Sequence, residues 1–126
     1  MKEIINTKEA PQPIGPYNQA VAAGGFLFVS GQIALDAATG NLITDNITTE
    51  THTVLKNLKA ILTEAGLTFD HIVKTTIFLS DMNNFSLVNE IYGSYFSKDF
   101  PARETVEVSV LPKNVNVEIS AIAIKS

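Results

Sequence analysis

Residues 115–124 read VNVEISAIAI, a strand pattern in which successive side chains point to opposite faces of a sheet. One face carries Val115, Val117, Ile119, Ala121 and Ala123, and the other carries Asn116, Glu118, Ser120, Ile122 and Ile124. Both faces become apolar towards Ile124. We therefore expect other protein to cover each of them.

Apolar periodicity and turn residues divide the rest of the chain into further elements. The pattern predicts strands at 2–7, 17–23, 26–29, 72–79 and 106–111, and helices at 46–65 and 84–97. Gly24-Gly25 is typical of a two-residue hairpin turn. Asp45 and Asp81 are the expected N-caps of the two helices, and Gly66 is expected just beyond the end of the first.

The resulting order, β-β-β-α-β-α-β-β, predicts an α+β fold. Helical crossovers require parallel strand pairs and the hairpins add antiparallel ones, so the sheet should be mixed. Both helices pack most simply on one face of this sheet. The other face, partly apolar, is then free to meet another subunit, and we expect a homo-oligomer.

Composition limits the classes of function. The 126 residues fit one domain spanning 1–126, and 45% of them are hydrophobic. A net charge of -4 argues against a surface built for nucleic-acid phosphates or anionic lipid. No apolar run reaches the roughly 18 residues of a membrane helix, and no secretory signal follows Met1, so we expect a cytoplasmic protein. The lack of cysteine excludes disulfides, thiolate metal ligands and a cysteine nucleophile.

Arg103 and Glu118 are the main candidates for chemistry. Arg103 is the one arginine of the chain, and its planar guanidinium suits a bidentate grip on a carboxylate or phosphate. A surface ion pair with one of the 13 acidic residues is the alternative. Glu118 interrupts a β-branched strand, where it can orient or deprotonate water if it faces a cleft. A structural carboxylate at an edge or interface is the alternative there.

Three further positions carry weaker signals. Ser30-Gly31 closes a predicted strand and can present backbone N–H groups to an anion, although a plain turn is the simpler interpretation. Tyr17 follows a stiff Gly-Pro pair and either faces a ligand or packs in the core. Asn89 lies beside the apolar stripe of the second helix and either reaches a cleft or contacts polar neighbours. The two histidines lack zinc-site spacing.

Several separated motifs resemble those of the Rid family, whose members are also called YjgF-like proteins. The motifs are Ile14-Gly15-Pro16-Tyr17, Ser30-Gly31-Gln32-Ile33, Val73-Lys74-Thr75-Thr76, Pro101-Ala102-Arg103 and Val117-Glu118-Ile119-Ser120-Ala121-Ile122-Ala123. They occur in the family's order and spacing over essentially the whole chain. The resemblance implies a chorismate-mutase-like fold, with a six-stranded mixed sheet backed by two helices, in a homotrimer whose sheets form a central barrel.

The resemblance also implies an enzyme, a 2-iminobutanoate/2-iminopropanoate deaminase. Such enzymes hydrolyse the reactive enamine and imine products of pyridoxal-phosphate-dependent threonine and serine dehydratases. The products are 2-oxobutanoate or pyruvate and ammonia, and neither a metal nor a cofactor is required. The family's active sites lie in clefts between neighbouring subunits.

Residue roles follow from the same resemblance. Arg103 matches the residue that binds the substrate carboxylate, and Glu118 matches the carboxylate that activates water. The family's remaining pocket positions fall on Tyr17, Ser30, Gly31 and Asn89. Relatives commonly have Ser-Cys directly after the arginine, whereas this chain has Glu104-Thr105. The backbone N–H of Thr105 can still donate to a substrate oxygen, and Glu104 either pairs with Arg103 or points outward.

Two other functions are compatible with the sequence. The same arginine pocket would suit a non-catalytic trimer that binds or senses a small carboxylate such as a 2-oxo acid. Ribonuclease or translation-inhibitor activity has been attributed to some relatives of this kind. The acidic charge balance and the lack of a basic surface with interleaved aromatics disfavour a nucleic-acid ligand.

Overall fold

A computed structural model describes residues 1–125, which form a six-stranded mixed sheet and two α-helices. The strands are β1 (Glu3–Ile5), β2 (Ala20–Ala23), β3 (Phe26–Gln32), β4 (Ile72–Leu79), β5 (Ala102–Glu107) and β6 (Val117–Ile124). The helices are α1 (Ile47–Glu64) and α2 (Phe85–Gly93). The strand order across the sheet is β1-β2-β3-β6-β4-β5. The predicted α+β class, strand number and helix number are confirmed.

Strand β6 lies near the middle of the sheet and pairs antiparallel with both β3 and β4. Strands β4 and β5, which are joined through α2, pair in parallel, as a helical crossover requires. Strands β1, β2 and β3 form the antiparallel side, and Gly24-Gly25 makes the tight turn of the predicted hairpin with φ angles of 60° and 84°.

Both helices cover the same face of the sheet, which we call the inner face. The apolar stripe of α1 is completely buried there and consists of Val54, Leu55, Leu58, Ile61 and Leu62. Removing each such side chain from water contributes roughly 1.5–3 kcal/mol. The N-cap of α1 is Asn46 rather than the predicted Asp45, because the Asn46 side chain accepts a hydrogen bond from the Thr49 N–H at 2.8 Å. Gly66 follows the helix with φ 79°, as predicted.

The opposite, outer face of the sheet is uncovered in the protomer. Phe26 and Phe28 are 40% and 46% exposed there, and Ile124 is 37% exposed. The predicted uncovered apolar face is therefore present on the outer side of the sheet. Strand β6 is apolar on both sides, for two different reasons. Its inner side packs under the helices, whereas its outer side has no cover within the protomer. None of the helices within residues 1–125 is long and apolar enough to span a membrane.

The largest error of the sequence prediction concerns β5. The strand was expected at 106–111 but spans Ala102–Glu107, and after it the Val108 N–H donates to the Leu79 carbonyl at 2.9 Å. The strand is polar because it lies at the sheet edge and pairs with β4 alone. The second helix is also shorter than predicted, and Asp81 caps a 3₁₀ turn at Met82–Asn84 that leads into α2.

Candidate active site

The guanidinium of Arg103 lies on the inner face of β5, against one side of α2. Its Nη1 donates a hydrogen bond to Asn89 Oδ1 at 2.6 Å. Its Cζ lies 5.1 Å from the ring centre of Tyr92 and 5.6 Å from that of Phe85. These cation–π contacts place the guanidinium against two aromatic rings. Phe85 and Tyr92 lie seven residues apart in the sequence, a spacing typical of the apolar stripe of a helix. Nothing in that pattern reveals their contact with the arginine.

Arg103 borders a cavity of about 430 Å³. The cavity is lined by Asn89, Tyr92, Gly93, Phe100, Pro101 and Arg103. None of these residues is acidic. Within residues 1–125 the one ion pair joins Lys74 and Glu104 at 3.1 Å, so Arg103 has no internal carboxylate partner. Glu104 is the register partner of Thr76 and projects to the outer face, away from its neighbour Arg103.

Glu118 lies on the outer face of β6, opposite Phe78 of β4. The side chain is half-buried, and this burial raises the pKa of its carboxyl above the ordinary value. A Cβ placed on Gly31 would overlap the Glu118 carboxylate, so a larger residue at position 31 would displace this side chain from its present position. A bulge in β3 between Val29 and Gln32 brings Gly31 to this position.

Glu118 borders a second cavity, of about 80 Å³. Tyr17, Gly31 and Lys113 are also among its lining residues. The irregular segment that carries Tyr17 is held by the buried side chain of Gln19. Its Nε2 donates to the carbonyls of Pro11 at 2.8 Å and Thr7 at 3.0 Å. This anchoring fixes one wall of the Glu118 cavity.

Ser30 and Thr105 occupy less direct positions. The Ser30 hydroxyl donates to the Asn18 carbonyl at 2.7 Å, and its N–H donates to the Gln19 carbonyl at 2.9 Å. Both donors of Ser30 are thus engaged within the protomer. Thr105 shares the inner face of β5 with Arg103 but does not line its cavity. Its Oγ1 is the single buried side-chain polar atom among the described residues that lacks a hydrogen-bond partner.

Arg103 and Glu118 lie on opposite faces of the sheet. Thr75 is the register partner of both Arg103 on β5 and the buried Ala121 on β6, which places these residues on the inner face. Glu118 is three positions from Ala121 along β6 and projects from the other side. The predicted site residues therefore divide into an Arg103–Asn89 group and a Glu118–Gly31–Tyr17 group. The cavity beside Arg103 and the cavity beside Glu118 each hold members of one group alone.

Metal ligands are not gathered at either cavity. Within the described part of the chain, no three or more histidine, aspartate or glutamate side chains form a cluster that could hold a metal ion. The two cavities instead offer the cations Arg103 and Lys113, the carboxylate of Glu118 and a set of neutral hydrogen-bonding groups. These groups suit binding of an organic acid and activation of water.

Residues 7–125 match the family whose sequence model is described as Endoribonuclease L-PSP. The chain therefore belongs to this family, which is the YjgF/Rid family. A RutC family protein of Pyrococcus horikoshii is 52% identical over 125 residues, which are 99% of this chain and 99% of that protein. The human 2-iminobutanoate/2-iminopropanoate deaminase is 44% identical over 125 residues, which are 99% of this chain and 91% of that protein. The crystal structure of E. coli TdcF with bound serine has a TM-score of 0.93 at 41% identity, covering 98% of this chain and 99% of that one.

Proposed function

We propose that the protein is a cytoplasmic, cofactor-independent deaminase that hydrolyses 2-imino acids such as 2-iminobutanoate and 2-iminopropanoate. The observation that carries the proposal is the guanidinium of Arg103, which borders a cavity and has no internal carboxylate partner. The reaction is supported by the human relative, which is named a 2-iminobutanoate/2-iminopropanoate deaminase. The serine bound to TdcF supports a ligand that carries a carboxylate next to a nitrogen-bearing carbon.

The proposal includes a homotrimer in which neighbouring subunits share each site. Two features support this assembly: the exposed apolar outer face, and the placement of Arg103 and Glu118 on opposite faces of one sheet. In the trimer, the three outer faces would close into a central barrel. Arg103 of one subunit would then face the cavity that holds Glu118 of its neighbour.

Substrate binding starts at Arg103. Asn89 takes one N–H of the guanidinium, and the remaining N–H groups hold both oxygens of the substrate carboxylate. A charge-assisted pair of this kind contributes roughly 1.5–3 kcal/mol. Fixing the carboxylate also fixes the adjacent C=N carbon, because the two groups are directly bonded. The imine carbon is thereby aimed at the position of the attacking water.

Glu118 activates that water. As the water oxygen bonds to the imine carbon, one water proton passes to the Glu118 carboxylate and the imine nitrogen takes a proton from solvent, which gives a carbinolamine. Glu118 then gives its proton to the amine nitrogen. As the C–N bond breaks, the hydroxyl proton returns to the Glu118 carboxylate, and ammonia and a 2-oxo acid are formed. Glu118 finally releases that proton to solvent, which replaces the one taken at the start. The burial that raises the pKa of Glu118 makes its carboxylate a stronger base. Such general-base assistance accelerates reactions typically by about 10²–10⁴-fold.

Replacing Arg103 provides the principal test. Arg103→Ala should abolish imine hydrolysis, and Arg103→Lys should recover little, because lysine supplies charge without the planar fork. The measurement is the rate of 2-oxobutanoate appearance when the protein is added to a pyridoxal-phosphate-dependent threonine dehydratase. Lys59→Ala, which removes one positive charge from an exposed position of α1, is the matched control and should leave the rate unchanged. A near-wild-type rate for Arg103→Ala would contradict the proposed role.

The same samples distinguish two alternative functions. Binding of 2-oxobutanoate without imine turnover would favour a non-catalytic 2-oxo acid sensor. RNA cleavage that disappears in Arg103→Ala would favour the activity named in the family description.

A further inference from the structure

We propose that Tyr92 is a positioning residue that, held by Thr75, fixes the guanidinium of Arg103 for carboxylate binding. The functional part of this inference rests on the proposed deaminase, and the geometric part does not. Tyr92 belongs to α2, Thr75 to β4 and Arg103 to β5. The inference concerns how these three elements are joined beneath one cation.

The phenol of Tyr92 is tied to the sheet by a buried hydrogen bond. Its hydroxyl lies 2.7 Å from Thr75 Oγ1, and both residues are at most 4% exposed. Thr75 is also the register partner of Arg103. The strand position directly beside Arg103 therefore holds the far end of the ring on which the guanidinium rests. This hydrogen bond restrains the tilt and position of the ring beside the guanidinium.

Filling the core at this position does not require the hydroxyl groups of Thr75 and Tyr92. Phe96, whose ring centre is 4.9 Å from that of Tyr92, fills a neighbouring buried position without any hydroxyl. Tyr92→Phe would supply the same ring to the core without the hydrogen bond that restrains its orientation. The Thr75–Tyr92 pair adds that geometric restraint, since buried polar pairs specify one arrangement where apolar contacts tolerate several.

Charge supports the same assignment. Burial raises the pKa of the Tyr92 phenol, although the Thr75 hydrogen bond and the Arg103 charge act in the opposite direction. The ring therefore remains neutral at physiological pH and interacts with Arg103 through its face. With Tyr92 and Phe85 contacting the guanidinium and Asn89 on Nη1, the other N–H groups are left for a ligand in the cavity.

The single arginine makes the geometry directly measurable. Its Nε–H gives one side-chain signal in a ¹H–¹⁵N NMR spectrum, which Arg103→Lys identifies by its disappearance. We expect ring currents to shift this signal in the wild-type protein. Tyr92→Leu should return it towards the position of an exposed arginine. Tyr92→Phe and Thr75→Val preserve the core volume and should broaden the signal and shift it part of the way.

Tyr95→Phe is the matched control. This variant also removes one phenol hydroxyl. The Tyr95 hydroxyl, however, is hydrogen-bonded to His52 Nδ1 at 2.8 Å, and the Tyr95 ring packs on Phe69 rather than on Arg103. The Arg103 signal should be unchanged in this variant. An equal effect of Tyr95→Phe and Tyr92→Phe would mean that general packing sets the signal, which would overturn the inference.

Binding and turnover provide the functional readout. Tyr92→Leu should weaken 2-oxobutanoate binding, measured by calorimetry, by roughly 2- to 30-fold, the range of one cation–π contact. The KM for the imine should rise by a similar factor, while kcat changes less. Unchanged Nε–H signals in Tyr92→Phe and Thr75→Val would show that the Thr75–Tyr92 hydrogen bond does not position Arg103, and this outcome does not depend on the activity of the wild-type protein. Shifted signals in a protein that hydrolyses no imine would contradict the proposed deaminase activity and leave the positioning role intact.

Discussion

Glu118 places a carboxylate where burial opposes its charge. Because its pKa is raised in the folded protein, the folded state binds more protons than the unfolded state between the ordinary and the raised pKa. Stability therefore falls as the pH rises through that window, and the loss persists at neutral pH. A carboxylate whose ionised form is disfavoured by burial is typical of residues retained for activity rather than for stability.

Glu118→Gln should separate these two effects. At neutral pH the variant should unfold at a higher temperature than the wild type, because the amide is neutral. The difference should disappear below the ordinary pKa of glutamate, where the wild-type carboxyl is also neutral. Turnover should fall, and the acidic limb of the wild-type kcat should lie above that ordinary pKa. Thermal unfolding and kcat are measured across pH, with the exposed Glu64→Gln as control. Equal stabilities of wild type and Glu118→Gln at neutral pH would refute the burial argument.

Residue type alone indicated Arg103 and Glu118, because a single arginine and a carboxylate within a β-branched strand are each unusual. It could not indicate Tyr92. A tyrosine at helical spacing among apolar residues has the same pattern whether it fills the core or supports a cation. Its contacts with Thr75 and Arg103 depend on how β4, β5 and α2 meet, which no local pattern contains.

Strand β6 begins where a buried carboxylate of α1 holds it. Glu50 is 0% exposed. Its Oε2 accepts from the N–H groups of Asn116 at 2.7 Å and Val117 at 3.1 Å, and its Oε1 accepts from Asn116 Nδ2 at 2.8 Å. Charge-assisted bonds to backbone donors are among the stronger ones in proteins. Glu50 thus fixes the start of the strand that presents Glu118 one residue beyond Val117.

Glu50→Ala should destabilise the protein by roughly 2–5 kcal/mol, since buried N–H groups at Asn116 and Val117 lose their acceptor. Glu50→Gln should cost less, because its amide oxygen can still accept one or both backbone bonds. Urea unfolding midpoints provide the measurement. Glu64→Ala, an exposed position at the end of the same helix, is the control for helix propensity. A Glu50→Ala midpoint equal to that of Glu64→Ala would exclude the anchoring role.

Element prediction succeeded where the apolar period was strong and failed at β5. The stripe of α1 and the alternation of β6 are long, and both elements are close to their predicted bounds. The VEVSV pattern at 106–110 alternates equally well, yet only its first two residues belong to a strand. Strand β5 is specified instead by pairing with β4 at the sheet edge, which is a tertiary effect. The insertion of β6 between β3 and β4 is likewise non-local.

At the scale of the whole molecule, one protomer holds two separate groups of candidate site residues. The register of β4, β5 and β6 sends Arg103 to the inner face and Glu118 to the outer face, so neither group can complete the other within a single copy. The exposed phenylalanines of the outer face provide an apolar surface for association. In the proposed trimer, association and catalysis are a single requirement, because the contact that covers the outer face would also bring Arg103 of a second subunit towards Glu118.

Mixing two inactive variants tests this sharing. Arg103→Ala subunits retain Glu118, and Glu118→Gln subunits retain Arg103. If each site takes one residue from each of two neighbours, random co-refolding at equal amounts makes about a quarter of the sites intact. We expect imine hydrolysis to recover towards that fraction of the wild-type rate, whereas each variant alone stays nearly inactive. Co-refolding Arg103→Ala with the Arg103→Ala/Glu118→Gln double variant supplies no arginine and should recover nothing. Mixed oligomers without recovered activity, or a stable monomer in sedimentation, would show that the sites are not shared between subunits.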